Sequence, residues 1–290
     1  SPTADQGPLR APIGIIDRPY YQRQDELIID FTQHGGHMAL CGGPQSGKSS
    51  ALRTIVSALA LRHDPQAARF YVIDLGGGQL ASLERLPHVA GVAGREEGEK
   101  VRRIVDEVAG FIRRPERCAT FLVIDGWHHI GTSNAEFEDI AEKVTEIVAD
   151  GASAHVHVII ATSRWTTMRP AIRDLIANRL ELRLGEALDS LIDRKLQQKL
   201  PCAPGRGLTL TGENMLLART SNQDIAHICR VHAEAQPVPQ LKMLPAVLTP
   251  SALAAQGGVP TGEIAWGIGG RDLDTLTWNS VSYTPLTLPT

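Results

Sequence analysis

His37-Met38-Ala39-Leu40-Cys41-Gly42-Gly43-Pro44-Gln45-Ser46-Gly47-Lys48-Ser49-Ser50 is the stretch on which the reading of this chain turns. It runs as a short apolar strand, a glycine-rich turn and the opening of a helix. The turn fits G-x-x-x-x-G-K-[ST], with Gly42, Gly47, Lys48 and Ser49 at the fixed positions. A polyphosphate needs backbone N–H groups curled around it, and glycines allow this because they reach positive φ and leave room for close approach. A helix beginning near Lys48 adds its own unpaired N–H groups and the positive end of its dipole. Lys48 then reaches the β- and γ-phosphates, and the Ser49 hydroxyl sits on Mg²⁺. The nine residues Gly42, Gly43, Pro44, Gln45, Ser46, Gly47, Lys48, Ser49 and Ser50 are therefore the candidate ATP-binding loop. Behind it, Leu52, Ile55, Val56 and Leu59 recur at i, i+3, i+4 and i+7, the stripe of a helix packed on a sheet. A bare glycine-rich turn would not need the lysine, the hydroxyl and the helix in register.

The pattern continues outward. Residues 12–17 and 27–31 read as short strands before the loop, and 69–75 as a strand buried on both faces. That strand ends in Gly76-Gly77-Gly78, at the edge where ligands sit in open α/β sheets. Residues 86–92 suggest another short strand. Val101, Ile104, Val105, Val108, Phe111 and Ile112 mark a helix stopped by Pro115. Residues 120–125 and 155–161 are further strands, with a helix marked by Phe137, Ile140, Ala141, Val144, Ile147 and Val148 between them. Leu180, Leu182 and Leu184 alternate as a half-exposed strand. The β-α-β alternation predicts an α/β fold, a RecA-like P-loop NTPase with a mainly parallel sheet covered by helices.

Phe121-Leu122-Val123-Ile124-Asp125 has the form of a strand whose terminal acid helps hold Mg²⁺, so Ser49 and Asp125 are the candidate metal ligands. Motors of this type carry a glutamate next, to polarise the attacking water; here Gly126 stands in its place. A missing base of this kind costs about 10²–10⁴-fold in rate. Gly126→Glu is expected to restore some turnover if the surroundings still suit a side chain. Glu136, Glu138 and Asp139 fall on a solvated helical face. Thr162-Ser163-Arg164 ends a strand where a polar γ-phosphate sensor often sits, and equally reads as a Ser/Thr-rich turn. Arg103 and Arg164, with Arg102, Arg179 and Arg194, are candidates for a finger supplied in trans, and spacing does not choose among them. His155 with His157, and His128 with His129, lack a third partner and read as packed or surface pairs, not metal ligands.

The 290 residues are 42% hydrophobic and 21% charged, as in soluble globular proteins. The net charge of −3 lacks the basic balance of a domain that grips DNA through its phosphates. No run reaches 18 apolar residues, and the opening residues lack a secretory signal pattern. Cys41 and Cys118 lie in or beside apolar strand patterns, and with Cys202 and Cys229 form no C-x-x-C pair; buried free thiols in a reducing cytoplasm fit this. Residues 1–11 read as a linker, 12–235 as the ATPase domain, and the proline-rich 236–290 as a linker and the start of a following module. Without an initiator Met the sequence reads as a piece of something longer.

The blocks 12–19 (PIGIIDRP), 42–49 (GGPQSGKS), 86–91 (LPHVAG) and 204–207 (PGRG) together resemble the FtsK/SpoIIIE-type ATPase modules of EccC, the tandem-ATPase motor of type VII (ESX) secretion. Val259-Pro260 followed by 267–273 is similar to the way the next module of such a chain opens, which suggests the second of three modules; residues 279–290 fit less well. The resemblance implies ATP and Mg²⁺ as ligands and weak or absent hydrolysis, since later modules often have degenerate sites. Ser163 likewise departs from the glutamine common there in such motors. It further implies a regulatory or assembly role in export of small helical WXG-type proteins. The implied partners are other ATPase modules of the same or a sister chain and the membrane secretion complex, with no nucleic acid. The implied location is the cytoplasm, at the inner face of the membrane. An FtsK-like DNA translocase and a competent stand-alone ATPase remain the alternatives. In the tail, Val259, Ile264, Trp266, Ile268 and Leu273 either dock in an apolar pocket of the module or begin the next module's first strand.

Overall fold

A computed structural model of the chain describes residues 9–32, 36–131, 137–245, 247–255, 259, 261, 263–269 and 273–279. The chain opens on a hairpin, β1 (Arg10–Arg18) and β2 (Arg23–Asp30), which buries Ala11, Ile13, Leu27 and Ile29. β3 (Met38–Cys41) then leads through the glycine-rich turn into α1 (Lys48–Arg62), along which Leu52, Ile55, Val56 and Leu59 are buried. β4 (Ala68–Asp74) ends at the three glycines, and β5 (Val89–Gly94) follows. α2 (Gly98–Arg113) stops just before Pro115, because the residue ahead of a proline disfavours helical backbone. β6 (Ala119–Asp125), a one-turn α3 (His128–Gly131), α4 (Glu138–Asp150) and β7 (Val156–Thr162) continue the alternation. After a short α5 (Pro170–Arg173) come β8 (Asn178–Leu182), α6 (Arg194–Lys199), β9 (Arg206–Leu208), β10 (Asn214–Leu217) and α7 (Asn222–Val231).

These strands form one ten-stranded sheet in the order β2-β1-β10-β9-β8-β3-β7-β6-β4-β5. The six from β8 to β5 are parallel. β3, β4, β6 and β7 are buried at every residue, as apolar runs without polar alternation must be. An antiparallel flank of β2, β1, β10 and β9 joins them through β8. The expected α/β arrangement is present, and β7 lies between the loop strand β3 and the acid-ended β6. Cys41, Thr162 and Asp125 therefore end neighbouring strands along one edge of the sheet.

Four details differ from the sequence reading. β8 is not half-exposed: Leu180, Leu182 and Leu184 are buried, and so is Glu181 between them. Glu181 is tolerated there because Trp165 Nε1 (2.7 Å), Ser190 Oγ (2.7 Å), the Leu191 N–H (2.8 Å) and Gln197 Nε2 (3.0 Å) all donate to its carboxylate. His155 does not share a strand face with His157; it is the left-handed residue before β7, with φ 57°, while His157 is buried inside the strand. Cys41 is buried but Cys118 only half-buried. β9, β10 and α7 gave no pattern to read, being strands of three and four residues and a helix whose start is set by a local capping box of Ser221 and Asp224.

The chain divides into two compact units, Ser1–Gln240 and Leu241–Thr290. In the second, α8 (Pro250–Ala255) precedes a hairpin of β11 (Glu263–Gly269) and β12 (Asp274–Asn279). Its register shifts between Ala265 and Gly267, as that of β1 and β2 shifts between Pro12 and Gly14. Trp266 lies on β11 and is 66% exposed. Glu136, Pro260, Gly270, Arg271, Asp272 and residues 1–8 and 280–290 lie outside the described residues.

Candidate nucleotide site

The glycine-rich turn is anchored at both ends. The Gly42 N–H donates to the Thr162 carbonyl (3.1 Å) and the Gly43 N–H to the Arg183 carbonyl (2.8 Å), tying the loop to β7 and to the segment after β8. At its far end the Gly205 N–H donates to the Ser46 carbonyl (2.9 Å). Gly47 has φ 101°, and a Cβ there would stand 2.9 Å from the Gly205 nitrogen, so both backbone conformation and space require glycine. Lys48 Nζ donates to the Gly42 and Gly43 carbonyls, 2.8 Å each. Burial lowers its pKa, and the neighbouring Asp125 carboxylate opposes that shift.

Asp125 reaches across the end of β7 to the loop: the Ser49 hydroxyl donates to its Oδ2 at 2.5 Å. Burial raises the Asp125 pKa and nearby Asp74 adds to this, while the Ser49 hydrogen bond and Lys48 pull it down. Asp74 accepts from the N–H groups of Gly76 (3.1 Å) and Leu80 (2.8 Å), and so shapes the three-glycine turn against the site. A Cβ on Gly76 would lie 2.7 Å from Asp125 Oδ2. The fit to Mg·ATP rests on these features. The loop is a backbone cradle that side chains would fill. Among the described residues, Lys48 is held by the Gly42 and Gly43 carbonyls and Ser49 by Asp125, contacts that phosphate oxygens and a hard cation would replace.

Gly126 differs from the sequence expectation in its consequence. It has φ 80°, and a Cβ would meet the Leu75 carbonyl carbon at 3.0 Å, the Gly76 nitrogen at 3.1 Å and His129 Cδ2 at 3.2 Å. A side chain where a catalytic glutamate is expected would therefore be strained and tight against the backbone, and Gly126→Glu is not expected to restore turnover. Glu138 and Asp139 are exposed on α4, with Asp139 3.1 Å from Arg102 Nε. Thr162 spends its hydroxyl on Thr167 Oγ1 (2.7 Å), while Ser163 beside it is half-buried.

Of the candidate fingers, Arg164 is 61% exposed with Nε 3.7 Å from Asp189. Arg194 is exposed at the start of α6, and Arg103 is half-buried on α2. Arg179 donates to the Ile176 (2.8 Å) and Arg173 (2.5 Å) carbonyls, a structural use.

Two groups stand out beside the loop, one that the sequence does not announce and one that it reads only as packed or surface histidines. A cavity of about 700 Å³ opens beside Ser49 and Ser50, walled by Arg53, Gln79, Arg219 and Asn222. Thr54 Oγ1, which donates to the Ala218 carbonyl (2.9 Å) and accepts from the Thr220 N–H (3.2 Å), holds the β10–α7 connection against α1. These wall residues come from three separate segments, so no local spacing announces them. The second group is His128 and His129. The His129 N–H donates to the Gly126 carbonyl (2.9 Å), and the two rings lie 4.1 Å apart. Among the described residues no three side chains are grouped to bind a metal ion, and no helix is long and apolar enough to cross a membrane.

Residues 5–236 match the FtsK/SpoIIIE family. The ESX secretion system protein EccC of Thermomonospora curvata is 35% identical over 302 residues, covering 89% of this chain and 23% of that protein. The ESX-1 secretion system protein EccCb1 of Mycobacterium tuberculosis is 35% identical over 240 residues, covering 72% of this chain and 40% of that one. Among solved structures, the cytoplasmic domain of the T. curvata type VII secretion ATPase EccC superposes with a TM-score of 0.81 at 32% identity, over 96% of this chain and 36% of that one. ATPases 2 and 3 of the same protein, in complex with a signal sequence peptide, give 0.81 and 32% over 96% and 57%. The chain thus spans well under half the length of these curated relatives.

Proposed function

The chain belongs to the FtsK/SpoIIIE family, and from that premise we propose that it is an ATP-binding module of a type VII secretion motor, one that retains Mg·ATP and turns it over slowly. The single observation that carries this is the pairing of a complete phosphate loop with a base position that holds glycine. Lys48, Ser49 and Asp125 converge, while Gly126 lacks a carboxylate and sits in left-handed backbone where a side chain would be strained.

In this reading Lys48 leaves the Gly42 and Gly43 carbonyls for the β- and γ-phosphates. Ser49 and Asp125 hold the metal, and residues 42–50 wrap the phosphates with backbone N–H groups. Bound Mg·ATP supplies the γ-phosphoryl bond whose cleavage drives a motor. The cavity between Arg53, Gln79, Arg219 and Asn222, of about 700 Å³, would have room for the nucleoside. Arg164, exposed at the same sheet edge, or Arg103 serves a neighbouring module's nucleotide in trans. The module works at the inner face of the membrane with sister ATPase modules and the secretion complex. It regulates or assembles the motor that exports small helical WXG-type proteins; a signal sequence peptide bound to the T. curvata relative supports a substrate of that kind. The hairpin of β11 and β12 is the opening of the following module, its bulge matching that of β1 and β2.

A ligand that binds only the folded state stabilises it by about 2.7 kcal/mol at a hundredfold excess over Kd. For a domain of this size that raises the melting temperature by about 5–10 °C. Thermal melts with Mg·ATP are expected to show this rise, and no shift at millimolar ATP would overturn the reading. A gel shift on duplex DNA at low salt, where phosphate contacts bind most strongly, is expected to stay blank.

A further inference from the structure

We infer that His128 and His129 form the γ-phosphate end of this site, so that the module tells a nucleoside triphosphate from a diphosphate without the missing carboxylate. The inference rests on the ATP-binding reading and deepens it.

Placement comes first. α3 begins three residues after Asp125 and is pinned to the neighbouring strand. The Trp127 N–H donates to the Ala161 carbonyl (3.0 Å), and the buried indole donates through Nε1 to the Thr167 carbonyl (3.3 Å). α3 therefore stands at the sheet edge where β6 and its metal-binding acid end, and the His129 ring lies beside Leu75 and Gly76 in the turn after β4. His129 packs its ring into the space where a side chain at 126 would begin, 3.2 Å from that Cβ position. Both rings are half-buried, so they are held but not sealed off.

The surroundings are cationic. Lys48 on α1 and Arg95 in the connection after β5 face His128, and Arg95 faces His129. Asp125, the nearest acid of β6, is engaged by Ser49. Of the acids in the first turn of α4, which packs against α3, Asp139 pairs with Arg102 and Glu138 is exposed. Burial, the neighbouring His129 ring and these cations push His128 down to about 4, so that ring is neutral at ordinary pH, and burial and Arg95 lower His129. A neutral imidazole N–H donates to a phosphate oxygen, and the charge of a terminal phosphate raises the ring's proton affinity. Binding of the triphosphate then takes up a proton that binding of the diphosphate, one phosphate short, does not. By linkage, preference for ATP over ADP grows as pH falls from about 8 toward 6.

Kd values for Mg·ATP and Mg·ADP, measured at about pH 6 and about pH 8 on the whole chain, test this. The comparison is between the parent, His128→Gln, His129→Gln and the double variant. The parent is expected to favour ATP more strongly at the lower pH. The double variant is expected to lose about tenfold of that preference and its pH dependence, with ADP affinity held within about twofold. Calorimetry of the parent in two buffers of different ionisation enthalpy gives the proton uptake directly and needs no variant to fold. Greater uptake for ATP than for ADP supports the inference. Equal uptake, or an ATP preference unchanged in folded variants, overturns it while leaving ATP binding intact. A parent that binds neither nucleotide sinks both readings.

Discussion

Lys48→Ala is expected to erase the rise in melting temperature that Mg·ATP gives the parent chain. Its ammonium is the one mobile cation in the loop, held by two carbonyls at 2.8 Å that it can exchange for phosphate oxygens. Charge-assisted bonds of this kind are about twice as strong as neutral ones, and losing those to two phosphates costs about 100-fold in affinity or more. The substitution itself is mild for the fold. Lys48 is the first residue of α1, alanine is the best helix former, and the loop keeps its backbone ties to Thr162, Arg183 and Gly205. The apo melting temperature is therefore expected to stay close to the parent's while the nucleotide-dependent rise disappears. Melts of both proteins over a Mg·ATP series check this; a rise retained in Lys48→Ala would move the phosphate site away from residues 42–50.

Gly126→Glu is expected to destabilise the chain and to give no gain in hydrolysis. A non-glycine residue in left-handed backbone costs about 1–2 kcal/mol, and forcing atoms into a packed site costs about 1–3 kcal/mol more. Here the obstacles are the backbone of Leu75, whose N–H donates to the Asp125 carbonyl (3.0 Å), and of Gly76, whose N–H donates to Asp74 (3.1 Å), so they yield less readily than a long side chain would. Glycine at this place is structural as well as catalytically silent. Denaturant melts and phosphate release on the same preparation check both halves, and a stable variant with faster turnover would contradict the account.

What could be read in the sequence was what is local. The loop, the stripe of α1 and the acid-ended apolar run of β6 each state their structure within a dozen residues, and all three stand as read. What could not be read was set by tertiary placement. Leu180, Leu182 and Leu184 alternate with polar residues as an edge-exposed strand would. Yet β8 is interior, because four donors from distant turns satisfy Glu181. The cavity beside Ser49 draws Arg53, Gln79, Arg219 and Asn222 from segments far apart in the chain. His128 and His129 carry no spacing signal; only the turn at Gly126 sets them beside the end of β6. Trp266 read as a docking anchor because an apolar residue in a polar stretch suggests a pocket; the structure places it on β11.

The central claim is that this module holds ATP and seldom cleaves it. The most direct measurement traps radiolabelled Mg·ATP on the purified chain at one nucleotide per site and follows the bound label with time. The account predicts a nucleotide that stays bound and is recovered largely as ATP, with turnover well below about 1 s⁻¹. Label that fails to bind, or that is released as ADP and phosphate at ordinary motor rates, would contradict it.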